Sequence, residues 1–280
     1  ADHVPVEAGL VGVTRLGIIH VPDFEKVDIV TEELPALTGG NNYQAQLEAQ
    51  NGTEPYTWNL ITPWHEQRYD LPMPEIDDER LYTEMPNLHY AAKKIGFEFP
   101  FYGEMFDSVY VHENGFLMFA PDLYPWPYFN DPFLLFKRMK NISAFHFNTI
   151  EYYNDPLRDD PEIWYEGNQY FAAFRWNGPL FYFDQLVGEG EYAVVLYPDG
   201  NVDFFYNDIE LDEDVIWYAG VSAGNEADFT LLKNANSIVP PEVSSYRLIP
   251  EPQPDGLKLS PEGLLNGNIE PSEQIYTITA

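Results

Sequence analysis

Hydrophobic and polar positions alternate along most of this chain, which is the period of a strand with one face buried. YQAQLEA, residues 43–49, shows the alternation plainly, and after the turn pair Asn51-Gly52 it resumes in YTWNLI, residues 56–61. That pattern predicts a hairpin over Tyr43–Ile61. IGFEF at 95–99, SVYVHENGFLMF at 108–119, ISAFHFNTIEYY at 142–153 and WYAGVSAG at 217–224 predict further strands. Gly167-Asn168 lies inside IWYEGNQYFAAFRW, and Asp199-Gly200 inside EYAVVLYPDGNVDFFYNDI. Each pair separates two alternating runs and predicts a hairpin turn. GLVGVTRLGIIHV at 9–21 and a run beginning at Val27 predict strands near the N-terminus. SYRLI, LKLS, LLNG and QIYTIT predict four near the C-terminus.

Two zones break the pattern. Residues 62–86 hold Pro63, Pro72, Pro74 and Pro86 with the acids Glu75, Asp77, Asp78 and Glu79, which predicts a long ordered connection and excludes central sheet. PDLYPWPYFNDPF, residues 121–133, predicts a loop, and Leu134–Lys140 a helical turn. The expected fold is all-β, with little helix and roughly twelve to sixteen strands arranged as sandwiches.

FPFYGEMFDSVYVHENGFLMF, residues 99–119, concentrates aromatic residues. Pro100 cannot donate to a ladder, so this segment belongs at a sheet edge or a strand start. Phe97, Phe99 and Phe101 share one face, Val109 and Val111 another, and Asn114-Gly115 suits a tight turn. The alternation assigns these rings to a core rather than to a ligand platform.

Composition narrows the function. The 280 residues are 45% hydrophobic and 16% aromatic, ample for a packed core, so disorder is excluded as the description of the chain. Acidic residues number 46 against 14 basic, a formal net charge of −32. No basic surface exists to replace phosphate counterions, so no nucleic-acid partner is expected. No apolar run approaches the ~20 residues of a membrane span, so no membrane insertion is expected. The acidity itself fits a solvated exterior, an adaptation to high salt, or a surface that collects Ca²⁺. Cysteine is absent, which removes disulfides and Cys-based metal sites. The chain opens ADHVPVEAG, without Met or an apolar leader, as an exported protein does once its signal peptide is removed. A trimmed chain would look the same.

Catalytic patterns are sparse. There is no Gly-rich phosphate loop and no nucleophile elbow. His3, His20, His65, His89, His112 and His146 are scattered without zinc spacing. Paired carboxylates of a glycoside hydrolase are a third-ranked reading, because so many acids make proximity uninformative. The better site hypothesis is calcium. Asn154, Asp155, Asp159, Asp160 and Glu162 offer oxygen ligands in one loop, and Asp208, Glu210, Asp212, Glu213 and Asp214 form a second acidic cluster. Neither has EF-hand spacing, and a solvated acidic loop is the plainer alternative. Tyr124, Trp126 and Tyr128 are the candidate stacking platform for a glycan.

Two nested resemblances organise the chain. FPFYG at 99–103, VYVHENGFLMF at 109–119, AVVLYPDGNVDFFY at 193–206 and AGVSAGN at 219–225 resemble, in this order, the nidogen-type extracellular domain of bacterial surface proteins. LPALTGGNNYQAQLEAQNGTEPYTWNLI at 34–61 and GLKLSPEGLLNGNIEPSEQIYTIT at 256–279 resemble the two halves of a split Ig-like module. The resemblance implies a nidogen-like β-sandwich at 63–245 inserted in an Ig-like β-sandwich of 27–62 plus 246–280, after an N-terminal segment 1–26. One departure is Ala144-Phe145-His146-Phe147-Asn148, where bacterial relatives carry an acidic segment, so no role for acids transfers there. The family implies an exported, non-enzymatic structural or adhesive protein at a bacterial cell surface. Its partners would be other copies of itself, other surface proteins or glycans, with Ca²⁺ as the candidate cofactor. A repeating subunit of a surface layer, sheath or filament fits, with terminal strands at 9–21 and 274–279 completing a neighbour's sheet. The alternative is a carbohydrate-binding module.

Overall fold

A computed structural model describes residues 28–31, 42–51, 55–56, 58, 62–81, 90–121, 131–146, 162–182, 185–211, 215–239, 241–251, 257–260 and 262–268. The expected strands at 9–21 and 274–279 lie outside the described residues.

The chain is all-β. Among the described residues the strands are β1 Asp28–Ile29, β2 Asn42–Gln46, β3 Ala49–Gln50, β4 Trp64–Tyr69, β5 Glu79–Leu81, β6 Tyr90–Phe101, β7 Glu104–His112, β8 Phe116–Met118 and β9 Lys140–His146. They continue with β10 Glu162–Gly167, β11 Ala172–Tyr182, β12 Gln185–Leu196, β13 Val202–Leu211, β14 Tyr218–Ala223, β15 Phe229–Leu231, β16 Ser245–Pro250, β17 Lys258–Leu259 and β18 Leu264–Asn268. The helix α1, Pro132–Arg138, starts two residues before the predicted turn, because the Asp131 carboxylate caps the N–H groups of Phe133 and Leu134.

Two large antiparallel sheets form a sandwich. One has seven strands in the order β4-β16-β13-β12-β11-β10-β5, the other six in the order β15-β14-β9-β8-β7-β6. Their facing sides share one core, in which Phe99, Val109, Val111 and Phe145 from one sheet meet Phe174, Trp176, Val194 and Phe204 from the other. Phe145 packs 5.4 Å from Tyr192 and 5.0 Å from Trp217, ring centre to ring centre. Tyr206 reaches across and donates to the Ala144 carbonyl at 2.7 Å.

The aromatic stretch at 99–119 is a three-stranded meander. Tyr102 and Gly103, at φ 47° and 75°, make the two-residue turn between β6 and β7, the positive-φ pair that matches strand twist. Gly115, at φ 79°, opens the step from β7 to β8. β6 is an edge strand, one of the two placements open to Pro100, and Phe99 and Phe101 are buried while Phe97 packs against the same core.

The proline-rich zone is more than a connection. It contributes β4 and β5, and these are the two edge strands of the seven-stranded sheet. Residues between them cover that sheet's outer side, where Met73 and Ile76 pack on Ala173, Ala193, Val195 and Phe205. α1 covers the outer side of the other sheet, setting Leu135 and Met139 on Phe116 and Met118.

Outside the sandwich, β2 pairs with β18 in a three-stranded sheet of order β17-β18-β2, which joins residues 42–46 to residues 264–268. The hairpin expected over Tyr43–Ile61 is therefore corrected: β2 takes its partner from the far end of the chain, β3 pairs with β1, and Tyr56 and Trp58 are not strand. Tyr43, Ala45 and Leu265 form that sheet's own small core with Leu257 and Leu259. Ser245–Pro250, placed by its sequence with the outer module, pairs instead with β4 and β13, because Tyr246 and Leu248 alternate into the sandwich core.

Candidate functional site

The register of the strands gives the sandwich two distinct ends. At one, Trp64 of β4 pairs with Pro250 of β16, and the Glu251 N–H donates to the Pro63 carbonyl at 2.8 Å. The turn at Tyr102 and Gly103 lies here too, since Trp64 packs 5.9 Å from Tyr102. This end is the joint through which the chain passes to the small sheet. At the opposite end, His112 is paired with Tyr90 and Phe116, and His146 with Tyr218. The Trp176 indole N–H donates to the His112 carbonyl at 2.9 Å, which brings the seven-stranded sheet's Glu162 and Asn177 to the same end. The chain leaves here after Leu81, His146 and Leu211 and returns at Tyr90, Glu162 and Val215.

This far end gathers the polar chemistry. His112, Glu113, Asn114, Asn141, Ser143 and His146 are all buried there or just behind it. The His112 Nδ1 accepts from the Asn114 N–H at 3.1 Å, which places its ring proton on Nε2. His112 stacks on Phe116 at 4.4 Å, and His146 meets the same ring at 4.9 Å. His146 is fully enclosed, its Nδ1 has no hydrogen-bond partner, and burial lowers its pKa to about 4. It is neutral at physiological pH. Among the described residues no group of three or more His, Cys, Asp or Glu side chains is placed to hold a metal ion.

Carboxylates rim the same end. Glu162, the described member of the first calcium candidate, opens β10 and pairs with Arg80 at 3.2 Å. Asn154, Asp155, Asp159 and Asp160 lie outside the described residues. In the second cluster Glu210 is exposed on β13, directly opposite the exposed Glu189 of β12. Asp208 is in the same strand; its side chain, with Asp212, Glu213 and Asp214, falls outside the described residues. Glu191 is satisfied internally, accepting from Arg175 at 3.0 Å and Asn207 at 2.7 Å. Tyr124, Trp126 and Tyr128 also lie outside the described residues. Like charges held face to face on neighbouring strands repel, so Glu189 and Glu210 form a local excess of negative charge.

Besides Glu113, two buried carboxylates escaped the sequence reading. Asp203 receives both Arg247 nitrogens, at 2.5 and 2.6 Å, and the Tyr197 hydroxyl at 2.9 Å. The Tyr197 phenol is pushed up to about 12 by burial and then by the Asp203 charge. Asp228, at the joint, is raised to about 6 by burial, against the opposing pull of its hydrogen bonds from Thr62. Neither has a local motif. The one available signal was alternation, which puts Asp203 and Arg247 on the same outer side of adjacent strands.

No protein-family model matches this chain, and neither a curated protein nor a solved structure matches it. The nidogen-like and Ig-like resemblances thus rest on their sequence motifs alone. Among the described residues no helix is long and apolar enough to cross a membrane.

Proposed function

We propose that this chain is a non-enzymatic contact protein of a bacterial cell surface, a nidogen-like sandwich carried by a split Ig-like module. It works as a repeating subunit of a surface layer, sheath or filament, using the acidic far end of the sandwich for contact. The observation that carries this reading is the Glu189–Glu210 opposition at the end remote from the joint. Among the described residues it sets two exposed like charges opposite each other at that pole.

The pairing of β2 with β18 supports the split module, since it closes residues 42–46 on residues 264–268 around the whole sandwich. Termini of a guest that lie side by side are what insertion requires, and Pro63 and Glu251 are hydrogen-bonded neighbours. A net charge of −32 opposes self-association unless cations screen it, over a Debye length of ~8 Å at physiological ionic strength.

Assembly should therefore depend on cations. Light scattering of the chain is expected to rise with millimolar Ca²⁺ or high salt and to fall back on chelation or dilution into low salt. Scattering indifferent to chelator and to salt would refute the proposal.

A further inference from the structure

We propose that a polar pocket on the flank of the sandwich binds an uncharged sugar, the end of a glycan chain. β4 and β15 are edge strands of the two large sheets, and residues 232–244 connect β15 to β16, the neighbour of β4. The Lys233 N–H donates to the Glu66 carboxylate of β4 at 2.5 Å, which ties this connection to that edge. Lys233, Asn234, Asn236, Ser237, Val239 and Glu242 line a pocket of about 280 Å³ there.

Its walls are fixed before any ligand arrives. The buried Trp217 bridges Ser237, and the Asn236 N–H donates to the Trp217 carbonyl at 2.8 Å. The Trp217 indole N–H donates to the Val239 carbonyl at 2.8 Å, and the Ser237 hydroxyl accepts the Val239 N–H at 3.0 Å. A site already ordered loses little entropy when it is filled.

The lining offers donors and acceptors together. Arg68 donates from Nε to Glu66 at 2.9 Å, but its two terminal nitrogens reach Glu242 and the Asn234 Oδ1 only at 3.4 Å each. Bonds of that length are weak, so both lining residues can take a closer partner. A guanidinium only donates, which assigns Oδ1 of Asn234 to Arg68; the amide Nδ2 is buried without a partner. Ser237 accepts from Val239 and keeps its own proton to donate, and the exposed Glu242 carboxylate accepts. Hydroxyl groups, which donate and accept at once, match this mixture.

Charge decides the ligand class. Lys233 and Arg68 are balanced by Glu66 and Glu242, in a chain whose net charge is −32. A phosphate or carboxylate would meet Glu242, and an ammonium group would meet Lys233 and Arg68. A neutral polyol meets neither repulsion. Val239 and the adjacent Ile238, both exposed, add an apolar ledge for the C–H face of a sugar. Small-ligand pockets begin at ~300 Å³, so this one suits a terminal sugar unit. The acidic pole and Ca²⁺ have no part in it.

The test is amide NMR of the full chain, titrated into the millimolar range with methyl glycosides of glucose, galactose, mannose and N-acetylglucosamine. EDTA is present throughout, which separates the outcome from cation-driven assembly. At least one glycoside is expected to give saturable shifts of the Asn234 side-chain amide and of backbone amides 233–239, equally in low and high salt. Asn234→Ala and Glu242→Ala should each weaken that binding about tenfold, the loss of one well-made hydrogen bond. Saturation by inorganic phosphate and by none of the glycosides overturns the proposal. So does the absence of saturable shifts in this segment, a result that the wild-type chain alone can give, or sugar binding that Asn234→Ala leaves intact.

Discussion

The Trp176 indole N–H of β11 donates to the His112 carbonyl of β7 across a distance of 2.9 Å. This bond runs from the middle of one sheet to the rim of the other, and both residues are buried. It fixes which ends of the two sheets coincide, and with them the far pole of the molecule. Trp176→Phe keeps most of the ring packing and removes one of the carbonyl's two donors, the Gly115 N–H remaining at 3.2 Å. The expected cost is about 0.5–1.5 kcal/mol, read by urea denaturation; a variant as stable as wild type would show that the indole bond adds nothing to the Gly115 one.

Gly115 joins β7 to β8 at φ 79°, and a Cβ there would meet the Tyr192 hydroxyl at 2.7 Å and the Phe145 carbonyl at 2.9 Å. Both obstacles belong to the core between the sheets. Gly115→Ala should cost about 1–2 kcal/mol from backbone strain alone, with the crowding added to it. Thermal unfolding checks this, and a variant as stable as wild type would contradict it.

His146 and Asp228 oppose each other in acid. The folded pKa of His146, about 4, lies below its ordinary 6.5, so the unfolded chain binds the proton more readily. Its contribution is fully present above about 6.5 and is lost as pH falls toward 4, up to about 3 kcal/mol. Asp228 shifts the other way, so its contribution grows as pH falls from about 6 to 3.8. The two compensate between about 4 and 6. Stability measured against pH should fall more steeply in acid for Asp228→Asn than for wild type. In His146→Leu it should flatten or rise, and parallel curves for all three proteins would refute the assignment.

Arg247 grips Asp203 with two nitrogens and also lies 5.1 Å above the Tyr197 ring. A lysine cannot reproduce the fork or the stacking. Asp203 is 5% exposed, so the lost bond leaves an acceptor poorly paired. Arg247→Lys should lose about 1–3 kcal/mol of stability with the fold unchanged by circular dichroism. A neutral outcome would show that water replaces the fork.

Much of the sandwich was legible because its inward faces obey period two. The positive-φ turns were legible where an Asn-Gly or Asp-Gly pair marks them, at Gly115 and Gly200; the turn at Tyr102 and Gly103 was not. Strands such as ISAFHF were less so, since β9 is buried on both sides: Ile142, Ala144 and Phe145 belong to the core between the sheets while Asn141 donates to the Phe136 carbonyl of α1. A continuous apolar run does not reveal which side is which. The hairpin expected at 43–61 failed for a different reason. A local Asn-Gly signal says where a chain turns, whereas β2 found its partner beyond residue 263. The bond from the Thr62 N–H to Asp228 was invisible for the same cause, joining residues far apart in the chain.

The central claim is that the acidic far pole makes the contacts. Leu186, 53% exposed, lies at that pole, and Met105, 56% exposed, lies at the joint end. Hydroxyl-radical footprinting with and without Ca²⁺ reads both side chains in one experiment. Assembly is predicted to protect Leu186 and leave Met105 reactive; protection of Met105 alone, or of neither, would contradict the account.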